Sequence, residues 1–440
     1  MQRTFIGQIS QALEKKKVKL YGWIHEIRDQ AKIKFIILRD ASGIVQLVIT
    51  KDKKFFEDIV KIPRESVLSI EGVVKSAKVT NPEVSIKDFE VSVEKYHVLS
   101  EADKKLPIQV VKGKEAADLS TRLDWRWIDL RKPPHILIFK VGTFMEAMMR
   151  EYWLKKGFIQ IHSPKLMAAP SESGAEVFTV DYFGRPAYLA QSPQFYKQMA
   201  MAAGFEKVFE FGPAFRADPS HTTRHNTEFT SIDLEMSFIK SHEDVMKLLE
   251  ETTQYVIKNV KEKFGKEIKQ VFGIDIVVPK LPFPRLTMKE TLNLLKAKGY
   301  HSAKGDIDAE GEKLICEVVK KKFGHDFVFI TDYPVSARPF YHMRYPDDKT
   351  LTKSFDILWN GMEIATGAQR EHRYDVLKQQ AIENKLDLKI LEDYLNFFKY
   401  GCPPHGGFGL GHARFLELLL GLSNIREATL LSRDTQRLRP

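Results

Sequence analysis

The stretch Gly407-Phe408-Gly409-Leu410-Gly411-His412-Ala413-Arg414, near the C-terminus of the 440-residue chain, places glycine at every second position before an arginine. Glycine lets a backbone approach a flat ligand closely, and an arginine can lie over an aromatic base or bind phosphate without losing its charge. An apolar helix pattern follows from Phe415 to Leu420. The order of strand, glycines, arginine and helix predicts a floor for a nucleotide, although a glycine-rich turn before a helix is more often structural.

A second segment rich in cations lies upstream, where Phe215-Arg216-Ala217-Asp218 and Arg224-His225-Asn226-Thr227-Glu228-Phe229 flank a polar loop. The residues on either side, 208–212 and 229–236, alternate as strands do. The pattern predicts an antiparallel hairpin whose basic loop would suit a triphosphate. An exposed basic turn is the alternative interpretation.

The bulk composition limits the class of protein. A length of 440 residues suggests two or three domains, and 43% hydrophobic with 29% charged residues is typical of a soluble globular protein. The net charge of +10 favours a polyanionic partner or, equally well, reflects a lysine-rich solvated surface. Two cysteines argue against a disulfide framework and a cysteine zinc site, and no targeting or membrane-spanning run is visible. We therefore expect a cytoplasmic protein.

The chain divides into regions of different pattern. Short strands fill residues 1–102 and predict a small OB-type β-barrel, with a hairpin turn at Ala41-Ser42-Gly43. Residues 103–122 are charged and poor in large apolar groups, which predicts a linker or hinge. Residues 123–440 mix helices with antiparallel strands, so the predicted class is α+β, with an inserted subdomain at about 265–345.

A third segment precedes the hairpin, where a helix pattern from Phe144 to Lys155 is followed by Gly157 and a strand that ends at Pro164. In this order the three segments resemble motifs 1, 2 and 3 of the class II aminoacyl-tRNA synthetases. The chain is most similar to the aspartyl-tRNA synthetases of the archaeal and eukaryotic type. Further matches are residues 190–198, 366–370 and 433–440.

The resemblance implies a ligase that works in two steps. An aspartate carboxylate attacks the α-phosphate of ATP to give aspartyl-adenylate and pyrophosphate, and the 3′-hydroxyl of tRNA(Asp) then takes the aspartyl group. Neither step needs a protein nucleophile, but both need positioning and neutralisation of phosphate charge, for which arginines and Mg²⁺ are suited. The resemblance also implies a homodimer with Pro164 at its interface, and no association with membranes.

The residues implied for the nucleotide include two assigned to catalysis, Arg216 and Arg414. Arg216 would bind the α-phosphate and the substrate carboxylate, and Arg414 would cover one face of adenine. Phe229 would stack on the other face, although an aromatic residue on a strand is by itself more often core. The full set implied for ATP is Arg216, Arg224, His225, Phe229, Glu363 and Arg414.

Lys197 and Arg370 are the pair implied to select aspartate. A side-chain carboxylate needs cations opposite it, whereas asparagine would leave those charges unpaired. A lysine on a helix is otherwise usually solvated. Asp233 is expected to hold Arg370 in place, and the loop 170–176 to close over the substrate. The full set implied for aspartate is Ser171, Glu172, Ser192, Gln194, Lys197, Asp233 and Arg370.

A metal site is predicted where Asp356 and Glu363 flank Asn360-Gly361, a sequence typical of a two-residue hairpin turn. Two strands joined there would bring the carboxylates together, and adjacent carboxylates need a cation between them, most naturally Mg²⁺. The hydroxyl of Thr366 would complete the site, at a position where the family often has serine. Two exposed hairpin carboxylates are the alternative.

In the barrel, Arg28, Phe35 and Gln46 match positions that read the anticodon in this family, because OB folds hold splayed bases by stacking and polar contacts. His25 stands where members that charge only tRNA(Asp) often carry tryptophan, and Asn81-Pro82 is expected nearby. The smaller imidazole and the proline-bearing loop predict a looser seat for the third anticodon base. The hypothesis is that tRNA(Asn) is charged as well as tRNA(Asp); the alternative is that His25 is an exposed strand residue.

Three positions depart from the family pattern. Asp218 and Ala413 stand where glutamate is usual, and Ser432 stands where proline is frequent. Two other functions therefore stay open. An asparaginyl enzyme is disfavoured by Lys197, and a catalytically weak tRNA-binding paralogue is suggested by Ala413.

Overall fold

The computed structural model describes residues 1–111, 117–170, 176–220, 222–302 and 305–440. The chain forms two compact units, Met1–Ile136 and Leu137–Pro440, each with its own apolar core. Within the described ranges, no helix has both the length and the apolar character needed to cross a membrane.

The first unit contains β1 (Lys17–Asp29), β2 (Ile33–Asp40), β3 (Gly43–Thr50), β4 (Val67–Ser76), β5 (Phe89–Ser100), α1 (Leu119–Asp124) and α2 (Arg126–Asp129). The five strands form a closed barrel in the order β1-β2-β3-β5-β4. Alternate residues point inward, so that apolar side chains such as Leu20, Ile36 and Leu47 fill the interior. The predicted OB-type barrel is confirmed.

The turn between β2 and β3 is fixed by Asp40. Its Oδ1 atom accepts hydrogen bonds from the backbone nitrogens of Ser42 at 2.7 Å and Gly43 at 3.1 Å. An aspartate that binds its own backbone in this way is a common turn former. The hairpin predicted at this turn is therefore confirmed.

The second unit contains more elements. Its strands are β6 (Ile159–Gln160), β7 (Leu166–Met167), β8 (Thr179–Tyr182), β9 (Arg185–Leu189), β10 (Lys207–Phe215), β11 (Glu228–Ser237), β12 (Arg285–Thr287), β13 (Phe327–Thr331), β14 (Ser354–Trp359), β15 (Met362–Gln369) and β16 (His405–Gly411). Its helices are α3 (Pro133–Lys155), within which the unit begins, α4 (Gln194–Ala202), α5 (His242–Phe272), α6 (Met288–Lys296), α7 (Ala309–Phe323), α8 (Tyr374–Glu383), α9 (Glu392–Lys399) and α10 (His412–Leu420).

These strands form an eight-stranded sheet in the order β12-β13-β14-β15-β16-β11-β10-β6, with β7, β9 and β8 in a small separate sheet. The pairs from β13 to β10 are antiparallel, and the outermost pairs, β12–β13 and β10–β6, are parallel. The α+β class is confirmed. The segment at about 265–345, predicted to be an inserted subdomain, supplies β12 and β13 to one edge of this sheet.

One face of the large sheet is covered by α3, α5 and α10, whose apolar residues share a single core with it. Trp153 of α3 is buried there against Phe209 and Phe408, and its indole nitrogen donates to Thr252 of α5 at 3.0 Å. A buried indole needs such a partner. Because the helices cover this face, the polar side chains of the central strands point to the opposite face.

The close approach of β11 and β16 depends on Gly407. A Cβ atom at this position would lie 2.0 Å from the carbonyl oxygen of Leu234 and 2.3 Å from Oε2 of Glu235. The Glu235 carboxylate therefore occupies the space that a side chain at residue 407 would need. The glycine pattern first noted in the sequence makes room for a neighbouring side chain.

We predict that Gly407→Ala destabilises the protein by about 2 kcal/mol or more, because β11 and β16 must separate to admit the methyl group. Urea unfolding measures the change. Gly265→Ala is the matched control, since the nearest atom to its added Cβ, Lys261 Cγ, is 3.5 Å away on the same helix. Alanine is favoured over glycine within helices by up to about 1 kcal/mol, so the control should be slightly more stable. Equal unfolding of the two variants would contradict this packing account.

Candidate functional site

Lys197, on α4, is a cation buried on the face of the sheet opposite α3, α5 and α10. Only 2% of the residue is exposed, so its interpretation as a solvated helix lysine is wrong. Its Nζ atom donates to Asp233 Oδ1 at 2.9 Å and to the carbonyl oxygen of Phe408 at 3.1 Å, and lies 3.4 Å from Glu235 Oε2. A lysine with so little access to water can remain charged because two carboxylates compensate it.

Arg370 is the second buried cation, and Glu235 holds it. Its Nε atom donates to Glu235 Oε1 at 3.0 Å, and its Nη2 atom donates to the carbonyl oxygen of Gly407 at 3.2 Å. The expectation that Asp233 holds Arg370 is wrong, since Asp233 pairs with Lys197. The reason is the register of the strands. Glu235 of β11 lies opposite Gly407 of β16, and Gly407 lies opposite Ala368 of β15, which is two residues before Arg370.

His342 completes this cluster. Its Nε2 atom lies 2.9 Å from Nη1 of Arg370, so the ring accepts and must carry its proton on Nδ1. Burial lowers the pKa of His342 well below its usual value, and the charges of Arg370, Arg338 and Lys197 add to the effect. The imidazole is therefore neutral.

The other residues predicted for aspartate have different positions. Ser192 and Gln194 lie at the start of α4, where the Ser192 hydroxyl accepts from the Gln194 backbone nitrogen at 3.2 Å. The side chain of Gln194 donates to Gln198 at 2.9 Å. Ser171 and Glu172 lie outside the described residues, as does most of the predicted closing loop.

The predicted basic hairpin is confirmed. Strands β10 and β11 are antiparallel, with Lys207 opposite Met236 at one end and Phe215 opposite Glu228 at the other. Arg216 follows directly and is exposed, and its guanidinium carbon lies 5.5 Å from the centroid of the Phe229 ring. Phe229 is half-buried on the same side of the hairpin as Arg216. An aromatic face beside an available guanidinium can hold a base and a phosphate together.

The loop after Arg216 carries Arg224 and His225. An Nη2 atom of Arg224 forms a close ion pair with Glu312 of α7, whose Oε2 atom also accepts from the backbone nitrogen of Glu363 at 3.3 Å. Burial and then the positive charge of Arg414 lower the pKa of His225, so residues of motifs 2 and 3 share one electrostatic environment.

Arg414, at the start of α10, reaches the strand that carries the predicted metal ligands. Its Nη1 atom donates to the carbonyl oxygen of Glu363 at 3.2 Å and lies 3.6 Å from the Glu363 carboxylate. Three of the residues predicted for ATP, Arg224, Glu363 and Arg414, are thereby connected, with Glu312 between Arg224 and Glu363. Glu312 was not predicted, because it lies on a helix of the segment interpreted as inserted.

The predicted metal ligands lie on the β14–β15 hairpin, whose turn residues Asn360 and Gly361 both have positive φ, 47° and 88°. Asp356 is opposite Thr366 in this pair of strands, and the Thr366 hydroxyl donates to Glu363 at 3.2 Å. The alternative of two exposed carboxylates is wrong, because Asp356 is buried.

The electrostatic partner of Asp356 is Arg338, which the sequence interpretation missed. Arg338 donates to Asp356 Oδ2 at 2.6 Å, while Asp356 Oδ1 is buried and has no hydrogen-bond partner within the described ranges. Among the described residues no group of three or more histidines, cysteines and acids is arranged to hold a metal alone. The unpaired Asp356 oxygen, with Glu363 and Thr366, nevertheless fits Mg²⁺, which binds proteins through few carboxylates and takes its other ligands from phosphate and water.

In the barrel, His25 is buried, with 2% exposure, and its interpretation as an exposed strand residue is wrong. Its Nδ1 atom lies 2.8 Å from Arg39, and its Nε2 atom lies 3.2 Å from Glu83. Burial and then the charge of Arg39 lower the pKa of His25. Asn81 donates to Glu26 at 3.1 Å, so the Asn81-Pro82 loop does lie beside the strand of His25.

The three other predicted anticodon residues lie on neighbouring strands of the barrel. Arg28 on β1 is paired with Phe35 on β2, and Arg28 is exposed while Phe35 is half-buried. Gln46 on β3 donates to Glu90 at 2.9 Å. These side chains give the barrel a cation, an aromatic ring and an amide of the kinds that hold single-stranded bases.

Two family models match this chain. The model of class II tRNA synthetases (D, K and N) matches residues 118–435, and that of an OB-fold nucleic acid binding domain matches residues 18–99. The chain is 45% identical over 442 residues to the aspartate–tRNA(Asp/Asn) ligase of Methanopyrus kandleri, covering 99% of both chains. It is also 45% identical over 440 residues to the aspartate–tRNA(Asp) ligase of Pyrococcus abyssi, again covering 99% of both.

Solved structures share the whole architecture. The asparaginyl-tRNA synthetase of Pyrococcus horikoshii in complex with asparaginyl-adenylate is 34% identical, with a TM-score of 0.91 and complete coverage of both chains. The aspartyl-tRNA synthetase of Entamoeba histolytica is 31% identical, with a TM-score of 0.89, over 100% of this chain and 93% of that one.

Proposed function

The chain belongs to the class II tRNA synthetases, and on that basis we propose that it is an aspartate–tRNA ligase that forms aspartyl-adenylate from aspartate and ATP and transfers the aspartyl group to tRNA. The observation that carries the proposal is the pair of buried cations, Lys197 and Arg370. Both cations can meet the side-chain carboxylate of aspartate through charge-assisted hydrogen bonds. We also propose that it acts in the cytoplasm, with the other components of translation.

In the proposed first step, the residues around the hairpin hold the reactants and neutralise charge. Arg216 faces the α-phosphate and the attacking carboxylate, with Phe229 beneath the base and Arg414 above it. Arg224 and His225 face the outer phosphates. No side chain has to form a covalent intermediate, since positioning and charge stabilisation supply the rate enhancement.

Asp356, Glu363 and Thr366 would hold Mg²⁺ in this site. Bound there, the ion would supply charge neutralisation at the phosphates. Arg338 would keep one oxygen of Asp356 occupied, so that its other oxygen points to the ion. Each of these residues offers an oxygen ligand of the kind Mg²⁺ prefers.

Asparagine is the competing substrate, because the asparaginyl enzyme of Pyrococcus horikoshii shares this architecture. The side-chain carboxamide of asparagine is neutral, so it would not offer Lys197 the negative charge that the carboxylate of aspartate offers. Asparagine should therefore bind more weakly than aspartate. The aspartate reading is therefore favoured. The catalytically weak paralogue is disfavoured because the arginines of motifs 2 and 3 are present and clustered.

We predict that Lys197→Leu lowers kcat/KM for aspartate in ATP–pyrophosphate exchange by about 30-fold or more, since a lost charge-assisted bond in a closed pocket costs ~2–4 kcal/mol. Asp233 and Glu235 would also be left to repel the substrate. The KM for ATP should change by less than about threefold, because the lysine does not face the nucleotide. Lys266→Leu, at an exposed position of α5, is the control. Wild-type efficiency in Lys197→Leu would show that the pocket is assigned wrongly.

We also propose a homodimer built on motif 1. Pro164 is exposed, and so are the apolar residues Leu154, Ile159 and Leu166, which are near it in the sequence, at 53%, 47% and 48%. Apolar side chains on a short helix–strand junction suit a self-complementary twofold contact.

Sedimentation at micromolar concentration is expected to give the mass of a dimer. Ile159→Asp places a charge in the proposed contact and should shift the protein towards monomer. Glu267→Lys, an exposed change on α5, should leave the mass unchanged. A fully active wild-type monomer would remove the proposal.

We propose that both tRNA(Asp) and tRNA(Asn) are substrates. Their anticodons differ only at the third base, so discrimination depends on how closely that base is read. His25 is held between Arg39 and Glu83, with the Asn81-Pro82 loop beside it, and offers no exposed aromatic face for that base. The M. kandleri relative is named an aspartate–tRNA(Asp/Asn) ligase and the equally identical P. abyssi relative an aspartate–tRNA(Asp) ligase, so the proposal rests on His25 and not on these names.

Charging of purified tRNA(Asp) and tRNA(Asn) with aspartate tests the choice. We predict kcat/KM values within about tenfold of each other. His25→Trp, which places a large ring at this position, should increase the preference for tRNA(Asp) without changing pyrophosphate exchange. A wild-type preference for tRNA(Asp) above about a hundredfold, ~2.7 kcal/mol, would exclude relaxed charging.

A further inference from the structure

Glu417, on α10, is a buried acid for which the mechanism above has no role. Only 5% of the residue is exposed, and its Oε2 atom is buried without a hydrogen-bond partner in the described part of the chain. An unpaired carboxylate in such surroundings is costly, and a native protein that retains one usually has a use for it.

Two arginines of the nucleotide site act on this carboxylate. Arg414 stands three residues before Glu417 on α10, so the two side chains lie on the same face of the helix. Burial raises the pKa of Glu417 to about 7, and the positive charges of Arg414 and Arg224 oppose that rise. Glu417 is therefore within electrostatic reach of both.

Arg224 presents the complementary unpaired group. Its Nε atom is buried and lacks an acceptor among the residues that the structure describes, although its Nη2 atom pairs with Glu312. The loop that carries it is fixed to the turn after α10, because the Ile425 backbone nitrogen donates to Thr223 at 3.0 Å and Arg426 donates to Thr222 at 2.9 Å. A donor without an acceptor and an acceptor without a donor thus lie in one packed region.

Glu417 lies close to a position on α10 at which this chain lacks an acid. Ala413, where an acid is expected, is buried and its methyl group belongs to the apolar core. Residues 413 and 417 are four apart on α10, so they are neighbours one turn apart on the same helix face. An acid at either position can approach the same two arginines.

We propose that Glu417 is a positioning residue for ATP. Its carboxylate supplies, from one turn further along α10, the negative charge that residue 413 lacks, and attracts the guanidinium groups of Arg224 and Arg414 from the buried side while their other edges face the phosphates. The inference rests on the proposed function only in taking ATP as the ligand.

The test is calorimetric titration of Mg·ATP in the absence of amino acid at pH 8, where a carboxyl group with a pKa of about 7 is mostly ionised. Glu417→Gln keeps the shape of the side chain and removes its charge, so the Kd for ATP should rise about tenfold. The KM for aspartate in pyrophosphate exchange should stay within about twofold of wild type. Glu262→Gln, exposed on α5, should leave both values unchanged. A purely structural role would instead lower the melting temperature and leave the Kd unchanged.

A second variant tests whether Glu417 takes the role of an acid at residue 413. Ala413→Glu combined with Glu417→Gln returns the acid to the family position, and the Kd for ATP should recover towards the wild-type value. A folded double variant that binds ATP as weakly as Glu417→Gln would contradict the replacement; if the double variant does not fold, the single variant decides. An unchanged Kd in Glu417→Gln would overturn the proposal. Because this binding is measured without aspartate, a wild-type protein inactive with aspartate would contradict the proposed function alone.

Discussion

The site depends on two buried pairs of opposite charge, Lys197 with Asp233 and Arg370 with Glu235. Neither cation could be retained at this depth without its acid, since an uncompensated buried charge costs about 3–5 kcal/mol. The two acids come from one face of β11, two residues apart, and the glycine at 407 leaves space for the second. Neighbouring strands of the sheet thus fix the positions of the two carboxylates and, through them, of the two cations.

The arginines proposed to bind ATP are also paired with acids. Arg224 pairs with Glu312, and Arg414 contacts Glu363. A triphosphate competes with these carboxylates for the same guanidinium groups, and it carries more charge than any one of them. We therefore expect selectivity for a polyphosphate, because a singly charged anion gains too little to displace the acids.

The sequence predicted the parts of this arrangement that have a local signature. The Asn360-Gly361 turn, the hairpin of β10 and β11 and the glycine-rich β16 all depend on a few adjacent residues. Glu235 was missed although strand alternation after Asp233 places it on the same face. Glu312 and Arg338 could not be inferred, since they reach the site from segments distant in sequence through pairings that only the fold determines. The burial of His25 was missed for the same reason, because Arg39 and Glu83 cover it from other parts of the barrel.

The central claim is that the buried cations select a dicarboxylate, and pyrophosphate exchange by the wild-type enzyme tests it most directly. Exchange is measured with ATP and Mg²⁺ as aspartate or asparagine is varied. The account predicts a kcat/KM for aspartate at least about a hundredfold above that for asparagine, equivalent to ~2.7 kcal/mol of transition-state discrimination. Equal efficiency with the two amino acids, a preference for asparagine, or no exchange with either would contradict it.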